Sequence, residues 1–97
     1  MRKRRPSEQG KLGLVVIKVF GYIADIVGWD EKSVDVKGEA ELRELLESIV
    51  EQEKLVKIIE LIGRGQAKIL VNGVEASLST IMQQGDEVAI IPLPSGG

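Results

Sequence analysis

The hydrophobic positions near the start of the sequence predict a strand, a short helix and a second strand. Residues 14–20 read LVVIKVF, a short run rich in β-branched residues, which favours a strand. Alternate positions of this strand, which share one face, are apolar: Val15, Ile17 and Val19. The following YIADIVG predicts one or two helical turns that end at Gly28. In KSVDVKG, Val34 and Val36 alternate with polar residues, which predicts a short, half-exposed strand.

A longer helical region is predicted after Gly38. Its first apolar residues recur at the spacing of one helical face: Leu42, Leu45, Leu46, Ile49 and Val50. The apolar positions then resume out of phase with the first set: Leu55, Ile58, Ile59 and Ile62. The change of phase predicts a break or kink near residues 52–54, with one main helix before it and a short second helix after it. Gly63 and Gly65 are expected to end the second helix.

The strongest local signal is AKILVNGVEAS, in which two strand-like runs flank Asn72-Gly73. This pair tolerates the two positive φ angles of a type I′ turn, so a hairpin is predicted. LSTIMQQGDEVAIIP then predicts a short helical connection, a turn at Gly85-Asp86 and a last strand over 87–91. Pro92 has no amide hydrogen and cannot continue a central ladder.

This order of elements predicts an α+β roll. Every strand after the main helix has to return to the same sheet, so we expect a mixed sheet of four to five strands with that helix across one face. The long helical crossover allows the first and last strands to pair in parallel.

The two faces of the last strand carry different predictions. Val88 and Ile90 share one face, and the other face carries Ala89, Ile91 and Leu93. One face belongs to the core under the helix. The other either forms an apolar docking patch with residues of the first strand or is simply buried as well.

The composition excludes several classes of chemistry. The chain has 97 residues, enough for one domain, and contains neither Cys nor His. Thiolate nucleophiles, Ser–His pairs and Cys/His zinc sites are therefore absent, and we expect no metal site. Asp86 and Glu87 are adjacent, so on a strand they point to opposite faces and do not form a catalytic carboxylate pair. Tyr22 and Trp29 are expected to pack against the domain, and an enzyme acting alone is not expected.

The net charge of −2 combines an acidic body with a basic start. The thirteen basic residues include Arg2, Lys3, Arg4 and Arg5, which leaves nine basic against fifteen acidic residues. We therefore divide the chain into a flexible basic arm (1–10), a folded domain (11–91) and an extended tail (92–97). The arm is either a solvated tail or a tether for nucleic acid or an acidic partner. A nucleic-acid-binding module is the hypothesis of a different class, disfavoured by the acidic body.

The apolar run after the arm does not predict a membrane segment. Lys18 interrupts it after six residues, 12–17, whereas a signal core needs about 7–15 apolar residues and a membrane span about 20. The expectation is a cytoplasmic protein without a membrane partner, which the lack of Cys fits.

Four segments together give the sequence a family resemblance. They are KVFGYIADIVG, ELRELLESIV, ILVNG and, most specifically, GDEVAIIPLPSGG. Residues 14–97 resemble the ubiquitin-like β-grasp sulfur carriers and are most similar to the MoaD type, the small subunit of molybdopterin synthase. The ThiS type of thiamin biosynthesis and the small archaeal ubiquitin-like modifiers are related. The helical stretch 54–65, the tail without an aromatic residue before its proline, and the basic arm depart from the MoaD pattern.

The resemblance implies that the reactive group is the carboxylate of Gly97. An ATP-dependent enzyme of the ubiquitin-activating type would adenylate it, and a sulfur donor would convert it to a thiocarboxylate. Gly96 and Gly97 lack Cβ atoms, so the backbone can enter a narrow channel. Residues 92–97 span about 20 Å when extended, at about 3.3–3.6 Å each. The expected partner contacts are Ile90, Ile91, Pro92, Leu93, Pro94 and Ser95.

The resemblance also implies the partners and leaves the pathway open. The chain itself would bind no cofactor, since ATP and the sulfur donor belong to the activating enzyme. In the MoaD-type pathway the second partner is the large subunit of molybdopterin synthase, which receives sulfur for the pterin. The alternatives are attachment of Gly97 to lysines of target proteins, as in the archaeal modifiers, or sulfur donation for thiamin or tRNA thiolation.

Overall fold

A computed structural model of the chain describes residues 13–94, which form seven strands and three helices. The predicted arm, 1–10, lies outside the described residues. The strands are β1 (Leu14–Val19), β2 (Glu31–Asp35), β3 (Glu39–Glu41), β4 (Ala67–Val71), β5 (Val74–Ala76), β6 (Ile81–Gln83) and β7 (Glu87–Pro92). The helices are α1 (Gly21–Val27), α2 (Leu42–Ile49) and α3 (Gln52–Gly63).

Five of the strands form the mixed sheet that the sequence predicts. Their order is β2-β1-β7-β4-β5, and β1 pairs in parallel with β7 while the other neighbours are antiparallel. The predicted α+β β-grasp roll is therefore confirmed. Its central pair joins the first and last strands, which places the end of β7 in the middle of the sheet.

One face of the sheet and the helices enclose a single aliphatic core. The sheet contributes Val15, Ile17, Val19, Val34, Ala67, Ile69, Val88 and Ile90, and the other buried members include Ile23, Leu42, Leu46, Ile58 and Met82. These residues match the predicted apolar stripes of both helices and the inward positions of β1. Burying each of the large aliphatic side chains contributes about 1.5–3 kcal/mol, so the core is the main source of stability.

The predicted break between the two long helices occurs two residues earlier than expected. Val50 and Glu51 have extended backbone angles, with ψ of 132° and 144°. The second helix is not short: α3 has 12 residues, whereas α2 has 8. At the start of α3 the ammonium group of Lys54 lies 2.8 Å from the Glu51 carboxylate. The hydrogen bond from Lys54 and the positive charge of Lys54 lower the pKa of Glu51 below the ordinary value.

The hairpin prediction is confirmed, and the predicted helical connection is wrong. Asn72 and Gly73 have φ of 52° and 83°, as the type I′ turn requires. The segment after the hairpin contains a turn and then strand β6, which pairs with β3 in a second, two-stranded sheet. The pairing buries Met82 completely. Strands β3 and β6 form by pairing with each other across about forty residues. The sequence around each of them therefore carries no strand pattern of its own.

Candidate functional site: the open sheet face and the root of the tail

The face of the central strands opposite the helices carries an aliphatic patch. Strand register places Leu70 beside Ala89, while Val16 and Ile91 occupy the same face of the neighbouring pairs. We call these four residues, Val16, Leu70, Ala89 and Ile91, the open face. All four are half-buried, and none of them belongs to the core cluster or packs against it. One face of β7 is therefore buried in the core and the other is half-buried, as the docking-patch prediction requires.

Charged side chains border the open face. Lys18 Nζ lies 3.2 Å from Glu87 Oε2, and Lys68 pairs in register with Ile91. Both members of the ion pair are well exposed, and such pairs contribute only about 0–1 kcal/mol to stability. The ion pair matters mainly because it places one positive and one negative charge at the edge of an apolar surface.

The predicted contact residues at the end of the chain occupy different environments. Ile90 is 0% exposed and belongs to the core, so its assignment as a partner contact is corrected. Ile91, Pro92 and Leu93 are half-buried, and Pro94 is exposed. The remaining predicted site residues lie outside the described part of the chain: Ser95, Gly96 and Gly97.

The last described residues leave the sheet at a well-defined point, which we call the tail root: Gly21, Tyr22, Gln66, Pro92 and Leu93. The Leu93 N–H donates to the Gln66 carbonyl at 2.9 Å. The Tyr22 hydroxyl donates to the same oxygen at 2.5 Å. A Cβ placed on Gly21, whose φ is +57°, would lie 2.8 Å from Pro92 Cγ.

Sequence reasoning missed the tail root, and its expectation for Tyr22 was incomplete. Tyr22 is 41% exposed and acts through its hydroxyl, whereas Trp29 packs partly against the core as predicted. Lys32 Nζ lies 5.2 Å from the centre of the Trp29 ring, a cation–π contact. Gly21 between two aromatic residues was the one local hint, because a glycine at such a place often marks a close approach of two segments.

Asp86, directly before β7, holds the turn that the sequence predicts at Gly85-Asp86. The Asp86 carboxylate accepts hydrogen bonds from the Gln83 N–H at 2.8 Å and from the Asn72 side-chain amide at 2.9 Å. The Asn72 side-chain oxygen in turn accepts the Glu87 N–H at 3.0 Å. These bonds tie the hairpin turn to the start of β7 and set the register of the strand that leads to the tail.

Within 13–94 no cluster of three or more acidic side chains is arranged to hold a metal ion. No helix in that range is long and apolar enough to cross a membrane.

The chain is similar to known proteins over most of its length. The model of the ThiS family matches residues 17–97, more than four fifths of the chain and through both final glycines. A search of curated protein sequences gives no match.

Three solved structures illustrate the likeness in fold. The modifier SAMP1 from Haloferax volcanii is 29% identical, with a TM-score of 0.60 over 88% of this chain and 100% of its own. A candidate molybdopterin converting factor subunit 1 from Pyrococcus furiosus is 26% identical, with a TM-score of 0.61 over 81% and 95%. A complex of subunits 1 and 2 of the molybdopterin-converting factor from Helicobacter pylori contains a similar fold, at 22% identity and a TM-score of 0.52 over 87% and 99%.

Proposed function

We propose a function for this chain on the premise that it belongs to the ThiS family, as the match over residues 17–97 shows. The family and these structural neighbours comprise ubiquitin-like β-grasp sulfur carriers and modifiers. Such proteins are small carriers or modifiers and not catalysts. Our proposal is that this chain is a protein sulfur carrier whose reactive group is the carboxylate of Gly97.

The proposed chemistry begins with activation of that carboxylate. A carboxylate is a poor electrophile, so an ATP-dependent partner first joins it to AMP and releases pyrophosphate. A sulfur donor of the sulfide class then attacks the acyl carbon through its sulfur, loses its proton and displaces AMP. The product is a thiocarboxylate in which one oxygen of Gly97 has been replaced by sulfur. The chain has no Cys, so no thiol of its own competes for the activated acyl group.

Binding to the activating enzyme is assigned to the open face and the tail together. Ordering the tail beyond Leu93 in the partner costs about 1–2 kcal/mol per residue, so the tail alone would bind weakly. The half-buried aliphatic side chains of the open face supply apolar area beside the tail root, with Lys18 and Glu87 at its border. Burial of apolar area contributes about 25 cal/mol per Å², which can offset part of the ordering cost.

The single observation that carries the proposal is the family match that includes Gly96 and Gly97. The test is ATP–pyrophosphate exchange catalysed by an adenylating enzyme of the ubiquitin-activating type. Exchange should require this protein and should be lost when Gly97 is deleted. Exchange that persists without Gly97 would contradict the proposal.

For the step after activation, we propose sulfur donation to a pterin in molybdopterin synthesis, with the large synthase subunit as the partner. The likeness to the Pyrococcus furiosus protein supports this branch. Co-purification with a large synthase subunit, and pterin thiolation by the thiocarboxylated protein, would test it.

A second branch is attachment of Gly97 to lysines of target proteins. The likeness to SAMP1, which extends over the whole of that chain at 29% identity, favours it. Both branches use the same activated carboxylate and differ only in the acceptor. Lysine-linked conjugates detected by mass spectrometry in the native cells would support this branch, and their absence alongside active pterin thiolation would reject it. Sulfur delivery for thiamin or tRNA thiolation remains the third use of the same group.

A further inference from the structure

The tail root joins three segments that are far apart in sequence. Tyr22 lies in α1, Gln66 lies between α3 and β4, and Leu93 follows β7. One carbonyl oxygen, that of Gln66, accepts both the Tyr22 hydroxyl and the Leu93 N–H, at 2.5 and 2.9 Å. A carbonyl has two lone pairs, so both donors can be satisfied at once.

The Leu93 hydrogen bond has a special position in the chain. Pro92 has no N–H, and neither has Pro94, so Leu93 is the only donor between β7 and residue 95. Within residues 13–94 its bond to Gln66 is the most C-terminal one made by a backbone N–H. Whatever holds the Gln66 carbonyl in place therefore sets the point from which the tail extends.

Tyr22 is the side chain that holds this carbonyl. Its backbone is fixed because Gly21, directly before it, lies against the Pro92 ring with no room for a Cβ. The residue is 41% exposed, and its hydroxyl donates a hydrogen bond to a residue 44 positions away. The hydroxyl contributes little to the core, so its effect should be local to the tail root.

We infer that Tyr22 is a positioning residue for the activation of Gly97. Its hydroxyl fixes the Gln66 carbonyl, and through it Leu93, so that a partner has at most residues 94–97 left to order. Each further residue that has to be ordered costs about 5- to 30-fold in affinity. The inference rests on the proposed function, because it assigns Tyr22 a part in presenting Gly97 to the adenylating enzyme.

The test uses the full chain with Tyr22→Phe, which removes only the hydroxyl. The matched control is Ser48→Ala, because the Ser48 hydroxyl also donates to a backbone carbonyl, that of Leu45 at 2.6 Å, on a helix outside the tail root. Both variants should keep the fold and nearly the wild-type unfolding temperature.

The first measurement is amide hydrogen exchange of Leu93 by NMR in the free protein, which needs no enzyme. Tyr22→Phe should accelerate this exchange about fivefold, the value expected for one net hydrogen bond, and Ser48→Ala should leave it unchanged. Unchanged exchange in Tyr22→Phe would overturn the inference.

The second measurement is ATP–pyrophosphate exchange with an adenylating enzyme that accepts the wild-type protein. Tyr22→Phe should raise the KM for this protein about fivefold with an unchanged kcat, since the added cost falls on ordering the tail during binding. Faster Leu93 exchange with an unchanged KM would overturn the positioning role. If the wild-type protein supports no activation with any adenylating enzyme, the proposed function fails, and the Leu93 exchange still decides whether Tyr22 holds the tail root.

Discussion

The contact between Gly21 and Pro92 allows a stability prediction to be worked from the geometry. A Cβ at Gly21 would lie 2.8, 3.6 and 3.8 Å from three atoms of the Pro92 ring, and the nearest of these distances requires a shift of the ring or the helix. Gly28 offers a matched control. Its φ is +87°, compared with +57° at Gly21, and nothing lies within 4 Å of the Cβ position.

The main difference between the two substitutions to alanine is therefore the contact with Pro92, which exists at Gly21 only. An alanine with positive φ costs about 1–2 kcal/mol at either position. Overpacking against Pro92 adds about 1–3 kcal/mol at Gly21 only. The expected loss of unfolding free energy is about 2–5 kcal/mol for Gly21→Ala and about 1–2 kcal/mol for Gly28→Ala. The gain from a stiffer unfolded chain is common to both and cancels in the difference.

Urea unfolding followed by circular dichroism measures both values. The midpoint should fall further for Gly21→Ala than for Gly28→Ala, with an unchanged m value. Pro92→Ala in the Gly21→Ala background should recover part of the difference, because the two residues are in contact and their effects are not additive. Equal losses for the two glycine variants would refute the close approach of α1 to β7.

Three further predictions concern the tail, the open face and the core. Gly96→Val should lower ATP–pyrophosphate exchange at least about 100-fold, because a side chain misplaces the acyl carbon, while the circular dichroism spectrum stays unchanged; activity near that of the wild type would contradict the role of the side-chain-free tail. Ile91→Glu should raise the KM for the adenylating enzyme about tenfold or more, because it places a charge on the open face. The control Val56→Glu, at a 49%-exposed position on α3, should leave the KM unchanged. Equal effects of the two variants on the KM would show that the open face is not part of the interface. Leu46→Ala should lower the unfolding free energy by about 2–5 kcal/mol, because Leu46 is 0% exposed. Val56→Ala should change the unfolding free energy far less. Comparable losses for the two variants in thermal unfolding would contradict the assignment of the core.

The parts of the fold that the sequence predicts are those with a local physical cause. The hairpin at Asn72-Gly73 follows from two backbone conformations that few residue pairs tolerate. The break between α2 and α3 follows from apolar residues whose phase cannot be continued on one straight helix. The inward side of β1 follows from strand alternation, and Val15, Ile17 and Val19 are all buried.

The parts that the sequence misses depend on contacts between distant segments. Strands β3 and β6 have three residues each and exist because they pair with one another across about forty residues. EAE at β3 directly precedes a helix that has an acidic residue, Glu44, in its first turn, so the segment resembles a helix start. Helix α3 begins two residues before the predicted stretch 54–65, because its first residues are polar and give no apolar signal.

The candidate site likewise has features with a local sequence signal and features that depend on contacts between distant segments. The aliphatic alternation of β7 predicts a second apolar face, and the structure places Ala89 and Ile91 there. The burial of Ile90 and the convergence of Tyr22 and Leu93 on Gln66 required three-dimensional information, because the segments involved are separated by at least 27 positions, from 66 to 93. Gly96 and Gly97 were recognised from the sequence through a family pattern, and their chemistry remains a proposal.

Sulfur transfer to Gly97 can be measured through the intact mass of the protein after incubation with an adenylating enzyme, ATP and sulfide. The mass should increase by the replacement of one oxygen by one sulfur, and fragmentation should place the change on Gly97. No increase is expected when ATP is left out or Gly97 is deleted. An unchanged mass with an enzyme that forms the acyl-adenylate, or a sulfur located on any other residue, would contradict the claim that the carboxylate of Gly97 carries the sulfur.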